Sequence, residues 1–375
     1  MNDFQTSLFD ELMQLTTAYK AFYFKDHSRD NITYRVFNYR LVIYKEFLQP
    51  SALECRGTTF EINSDGDPIS LVSFPFPKFF NLFENESTIN VDLSTVVEVL
   101  NKVDGSMITT YLCDERLCLK TKGSLDSEQA CASEIWLNEA QNIHFLREIK
   151  TLESMGYTVI MEWCGPKNKI ILNYDSPHLQ VLGIRNRADG SFMNHDDVDS
   201  STFPEILNKW VDVIQVNDID GFVNTIVDQT GIEGVVIRLN DNRRIKVKCN
   251  WYVSLHRAME CLNNMARLYV ATIDGLTDDM LSLFVNDIDS TNLIIEMQEF
   301  VANIYSILNS ITARFYEDNK NKERKEYAIL AKNTLMPHEF HIVMAMFNKK
   351  DYDIKEIMLK NWEIFQKTCH LVDKS

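Results

Sequence analysis

No Cys-x-x-Cys spacing occurs among the eight cysteines of this 375-residue chain, which stand at Cys55, Cys113, Cys118, Cys131, Cys164, Cys249, Cys261 and Cys369. That excludes the common zinc and redox frameworks and leaves reduced core thiols in a cytosolic protein as the expectation. No uncharged run approaches the roughly 20 residues that span a bilayer, so no membrane partner is expected. The N-terminus lacks a basic region, and Asp10 and Glu11 interrupt the apolar residues from Leu8 to Leu15, which therefore read as a helix and not a signal peptide. Positive charge is scarce too: 38 Lys and Arg face 54 Asp and Glu, for a net charge of −16. Such a chain does not coat nucleic acid through bulk electrostatics, so a polyanion has to be met by a local basic groove. Repeats, low-complexity tracts and long linkers are missing. His338-Glu339-Phe340-His341 lacks the H-E-x-x-H spacing of zinc hydrolases and reads as the start of a helix after Pro337.

What is present divides in two. The length exceeds one usual core, and 45% hydrophobic residues supply material for two. Before Lys248 come strand-like runs at Tyr34 to Tyr39, Gly57 to Ile62, Ile69 to Phe74, Met107 to Leu112, Thr158 to Met161 and Leu179 to Ile184, with turns at Asp65-Gly66 and Asp189-Gly190. After Leu255 the pattern becomes helical. Leu293, Met297, Phe300, Val301, Ile304, Leu308, Ile311 and Phe315 recur at three- and four-residue spacing and predict one long amphipathic helix. Further helices are expected at Lys322 to Lys332, after Pro337 and from Ile354 to Leu371. The fold class is α+β, with domains at residues 1–254 and 255–375.

The residues that carry chemistry lie in the first part. Lys102-Val103-Asp104-Gly105 places a lysine two residues before an Asp-Gly bend between strand formers. Alone this is weak, since chance supplies K-x-D-G in roughly one chain in ten of this size. More charged residues follow in order. Lys120 and Lys122 share one face of a strand by its two-residue period. Gly234 to Arg238 and Arg244 to Lys248 read as a hairpin around Asn240-Asp241-Asn242, with Arg244, Lys246 and Lys248 on one face and Ile245 and Val247 on the other. Glu162 and Glu233 are isolated carboxylates beside apolar strand formers, a placement that calls for a charged partner or a ligand. Together these suit attack of a lysine amine on a nucleotide α-phosphate. Cations neutralise the polyphosphate, carboxylates hold metal and ribose, and nearby positive charge favours the neutral amine that attacks.

These residues resemble the covalent nucleotidyltransferases, the ATP-dependent polynucleotide ligases and capping enzymes, whose signatures match Lys102 to Gly105, Glu162, Glu233-Gly234 and Lys246-Val247-Lys248. A closer resemblance, over roughly residues 30 to 285, is to the RNA ligase 1 enzymes of T-even phages. It is carried by Leu53-Glu54-Cys55-Arg56-Gly57, Lys78-Phe79-Phe80-Asn81-Leu82, Lys122-Gly123-Ser124, Ser127-Glu128-Gln129-Ala130 and Trp251-Tyr252-Val253-Ser254-Leu255-His256. The resemblance implies an adenylyltransferase domain built on antiparallel sheets, followed by an all-α module that governs preference for tRNA. It implies that Lys102 forms lysyl-AMP, that Glu162 contacts the ribose and that Glu233 helps hold a catalytic Mg²⁺ or Mn²⁺. Lys246 and Lys248 are implied at the α-phosphate, and Arg56, Lys78, Lys120 and Lys122 at the phosphates or pyrophosphate, with Asp104 and Gly105 shaping the bend. Asp278 and Asp279 match a non-catalytic metal site, although the favoured reading is Thr277 as a helix N-cap followed by two acids that stabilise the helix start without any ion. Trp251 and Tyr252 read as core ahead of base stacking. The expected activity is ATP-dependent joining of RNA 5′-phosphate and 3′-hydroxyl ends, with nicked tRNA as partner, by a monomer in the cytoplasm of a phage host. A DNA ligase, a capping enzyme and an inactive nucleotide or tRNA binder are the alternatives. The helical ending disfavours the first two, which carry a β-rich domain there.

Overall fold

A computed structural model describes residues 1–114, 116–284, 287–369 and 371. It forms two compact units, Met1–Val253 and Ser254–Ser375. In the first, twelve strands pair antiparallel in three sheets among the described residues. One sheet runs in order through β1 (Phe22–Arg29), β2 (Ile32–Tyr39), β3 (Thr59–Ile62) and β4 (Pro68–Ser73). With β5 (Val96–Asn101), β6 (Ser106–Cys113), β7 (Arg116–Thr121), β8 (Tyr157–Cys164), β9 (His178–Asn186), β10 (Phe192–Met193), β11 (Gly234–Leu239) and β12 (Arg244–Lys248), the other two are ordered β10-β9-β8-β6-β7 and β12-β11-β5.

The burial of each strand follows from what covers its faces. β2 is buried along most of its length because both its faces are covered. Tyr34 and Val36 pack with Tyr111, Cys113 and Cys118, whereas Phe37 packs with Leu8, Phe9 and Leu12 of the N-terminal helix Asp3–Ala18. β8 is buried nearly throughout as well. Val159, Met161 and Trp163 enter a core with Phe145, Leu146, Ile149 and Leu152 of the helix Ile143–Ser154, which leaves Glu162 on the opposite face.

The second unit is helical throughout its described residues, and its longest element, Ile288–Asn319, buries Ile294, Met297, Ile304, Leu308 and Phe315, close to the predicted stripe. The helix after Pro337 runs Pro337–Phe347, with His338 buried beside the Phe365 ring.

Four expectations need correction. The helix predicted over Ile354 to Leu371 is broken at Asn361 into Ile354–Lys360, Trp362–Phe365 and a single turn of 3₁₀ helix. The change to helix comes earlier than Leu255, because Asn250–Leu262 starts directly after β12 and takes in Trp251 and Tyr252. Thr277 is not an N-cap: Leu276 holds that position, and the buried Thr277 Oγ1 accepts a hydrogen bond from Gln298. Lys102 to Gly105 is not a hairpin bend either. It is the crossover from β5 in the three-stranded sheet to β6 in the five-stranded one.

Candidate active site

Because the crossover changes sheets, Lys102 stands where two sheet faces meet. Its backbone N–H donates to Gly234 O at 3.0 Å, extending the β5–β11 ladder by one bond and seating the side chain beside the start of β11. Glu233 immediately precedes that strand. Gly234 pairs with Lys248 across the hairpin, so the two lysines flank one carboxylate. Lys102 Nζ lies 2.8 Å from Glu233 Oε2, and Lys248 Nζ lies 2.9 Å from Oε1. Glu233 is itself buried, and burying a carboxylate demands such partners.

Asp104 fixes the crossover. Its Oδ2 accepts from the Ile171 and Leu172 N–H groups at 2.8 and 2.7 Å, its Oδ1 accepts from the Tyr252 hydroxyl at 2.7 Å, and its own N–H donates to the Tyr174 hydroxyl at 3.0 Å. Gly105 is required by close approach and not by a left-handed conformation: a Cβ there would lie 2.4 Å from Trp163 O. At Gly234 both reasons apply, with φ +139° and a Cβ 2.1 Å from Val247 O.

Lys102, Glu162, Arg56, Gly105 and Lys246 line one cavity of about 240 Å³, together with Phe76, Phe79, Met107, Leu182, Val236 and Arg244. Burial raises the Glu162 carboxyl to about 7; Lys102 and Arg56 oppose the shift, whereas Glu233 and Asp104 reinforce it. Lys246 is drawn down to about 7, first by burial and then by Lys78, Arg56, Lys102 and Lys248. Lys78 and Lys122 are lowered as well, by burial first; neighbouring cations reinforce the shift, and at Lys78 Glu84 opposes it. A cluster of cations that depress one another's charge is built for an anion to complete.

Lys78-Phe79-Phe80-Asn81-Leu82 reaches this cluster by lying along the outer side of β12, where Lys246 N–H donates to Phe80 O and Leu82 N–H donates to Lys246 O. Lys78 lines an adjoining cavity that shares Phe79 and Arg244 with the first. Lys122 sits over the Tyr39 ring, with Nζ 4.9 Å from its centre. Lys120 is placed differently from its neighbour: fully buried, it donates to Gly57 O at 2.9 Å, and burial pushes it down to about 7. It thus braces the residue after Arg56 and lies outside the lining of that cavity.

Asp278 and Asp279 occupy the first turn of the helix Thr277–Leu283, with Asp278 Oδ1 accepting from Gln298 at 3.4 Å. Among the described residues no group of three or more His, Cys, Asp or Glu is placed to hold a metal ion. Sequence reasoning passed over Tyr174 and treated Tyr252 as core. The only signal for the latter was a hydroxyl-bearing aromatic four residues after the K-x-K strand.

The family described as RNA ligase matches residues 54–252, just over half of the chain. The chain belongs to the T4 RNA ligase 1 family. A second family region, described as the T4 RNA ligase 1 C-terminal domain, matches residues 259–369 in the helical unit. Among relatives, a putative RNA ligase of Thermovibrio ammonificans is 24% identical over 263 residues, covering 66% of this chain and 65% of that protein. A putative bifunctional polynucleotide kinase/RNA ligase of Autographa californica nuclear polyhedrosis virus is 24% identical over 256 residues, 63% of this chain and 35% of its own length. Among solved structures, an archaeal ATP-dependent RNA ligase has a TM-score of 0.45 at 13% identity, covering 81% of this chain and 82% of that one. No described helix is long and apolar enough to cross a membrane.

Proposed function

We propose that this member of the T4 RNA ligase 1 family is an ATP-dependent RNA ligase that works through lysyl-AMP and RNA-adenylate. One observation carries the reading: Lys102 Nζ is held 2.8 Å from Glu233 at a cavity lined by Lys246, Arg56 and Glu162. Lys102 attacks the α-phosphorus of ATP, the nitrogen losing a proton as the bond to pyrophosphate breaks. An RNA 5′-phosphate oxygen then displaces the lysine, and a 3′-hydroxyl finally displaces AMP to form the phosphodiester. Each step is an in-line displacement, so the protein's contribution is positioning and charge. Lys246, Lys248 and Arg56 neutralise phosphate oxygens, and Glu162 faces the ribose. Glu233 aims the nucleophile between steps. A divalent cation fits here only as a partner of Glu233 and the phosphates, since both Glu233 oxygens already carry ammonium groups and no protein cage is present among the described residues. When bound, it supplies further neutralisation of phosphate charge.

Mass spectrometry of the chain after incubation with ATP and Mg²⁺ should show one adenylyl group on Lys102; an unmodified lysine at that position rejects the reading. The nucleotide's arrival should also move protons. Lys246, near 7 when the site is free, is mostly neutral at pH 8, and a polyphosphate pulls its proton affinity up. Calorimetric titration in two buffers of different ionisation enthalpy should therefore give an uptake at pH 8 larger, by up to about one proton per ATP, in the natural chain than in Lys246→Met. The difference should fade near pH 6, where Lys246 is already charged.

We further propose that the helical unit directs the ligase to tRNA cleaved in the anticodon loop. The support is the match of that unit to the T4 RNA ligase 1 C-terminal domain. Preference for a nicked tRNA over an unstructured RNA with the same ends, compared in kcat/KM, tests it.

A further inference from the structure

Arg244 lies at the far end of the same sheet face from the nucleophile. Along the hairpin the cross-strand pairs run Gly234 with Lys248, Val236 with Lys246 and Arg238 with Arg244. Lys102 sits at the Gly234 end, so Arg244 is four residues along the strand, about 13 Å away. Val236 also pairs with Leu100 in β5, and both line the cavity, as does Arg244.

Three arginines crowd this corner, and two have acids. Arg185 is paired with Glu54 at 2.7 Å and Arg238 with Glu98 at 2.8 Å. The Arg244 side chain has neither an ion pair nor a hydrogen bond among the described residues, and its buried Nε is without a partner. Its guanidinium lies over two aromatic rings, 4.6 Å from the centre of Phe76 and 4.1 Å from that of Phe192. Burial, with Arg238 and Arg185 beside it, pushes it down to about 9 despite the help of Glu98. Leaving buried donors unmatched is costly, and native structures keep such groups where a ligand completes them.

We propose that Arg244 recognises the base of the nucleotide by donating a hydrogen bond to a ring nitrogen of the purine. This rests on ATP being the substrate. With the α-phosphate beside Lys102 and Lys246, the length of a nucleoside carries the base toward Arg244. The walls in between, Leu100 and Val236, are apolar and suit a flat heterocycle better than further phosphate. Phe76 and Phe192 hold the guanidinium plane and thereby set the direction of its donors. A pyrimidine, one ring shorter, does not reach it.

The test is adenylylation kinetics with ATP and its 1-deaza, 3-deaza and 7-deaza analogues, in the natural chain and in Arg244→Met, which keeps an apolar stem against the Phe76 and Phe192 rings. One analogue should raise KM about tenfold in the natural chain with kcat little changed, the effect of losing one hydrogen bond to a charged group. Arg244→Met should show the same rise with ATP and no further rise with that analogue. Equal response of the natural chain to all three analogues and ATP overturns the proposal, and so does a raised KM for pyrophosphate in the reverse reaction of Arg244→Met, which would place the arginine on phosphate. If the variant does not fold, the analogue series on the natural chain decides alone. Failure of the natural chain to adenylylate at all with ATP would instead sink the ligase reading.

Discussion

Lys102→Ala should form no detectable lysyl-AMP, a loss of at least about four orders of magnitude, because no other amine in the cavity can replace a nucleophile held by its own backbone and by Glu233. The variant should nevertheless seal RNA that arrives already adenylylated. In that last step the attacking group is the RNA 3′-hydroxyl, and Lys246, Lys248 and Glu233 are all still present. The fold is expected to survive, since Glu233 keeps Lys248 as partner at 2.9 Å. The measurement is a pair of assays on one preparation: label transfer from ATP, and ligation of synthetic adenylylated RNA. Equal loss in both would contradict the separation of roles.

Glu233→Gln should behave in the opposite way and depress both assays, each by about three orders of magnitude. The substitution preserves volume but replaces one accepting oxygen by an NH2 donor and removes the one negative charge that two ammonium groups share. Lys102 and Lys248 then repel each other, the nucleophile loses its aim, and the residue best placed to share a cation with the phosphates is gone. Rates recovering with higher ATP or metal would indicate a role in binding only, whereas a kcat effect at saturation is expected.

The candidate site residues were far more legible in the sequence than the geometry that brings them together. Lys102, Glu162, Glu233, Lys246 and Lys248 announce themselves because charged groups inside strand patterns are conspicuous and their alternation assigns them to faces. That Lys102 and Lys248 share Glu233 was not readable, since it depends on β5 pairing with β11 across more than a hundred residues of chain. Lys120 illustrates the limit of periodicity. The two-residue period puts it beside Lys122, yet says nothing of how deep the face lies, and the structure buries Lys120 with its ammonium on Gly57 O. Arg244 was assigned to the correct face but not to the site, because only the structure shows that Glu54 and Glu98 are claimed by its neighbours. Among the elements, β1 was overlooked because Phe22–Arg29 is an edge strand whose side chains are mostly exposed, so it carries no alternation. The long helix Ile288–Asn319 was legible because a stripe sustained over many turns leaves no rival period.

Asp104 bears on when this protein becomes reactive during its synthesis. Its bonds reach partners 67, 68, 70 and 148 positions further along the chain. A ribosome must therefore release the stretch through Tyr252 before the crossover can settle, and contacts of such long sequence separation form slowly. A nascent or truncated polypeptide ending before that tyrosine holds every charged group of the cavity and still lacks the tether that steadies its amine, so competence to consume nucleotide should arrive late and all at once.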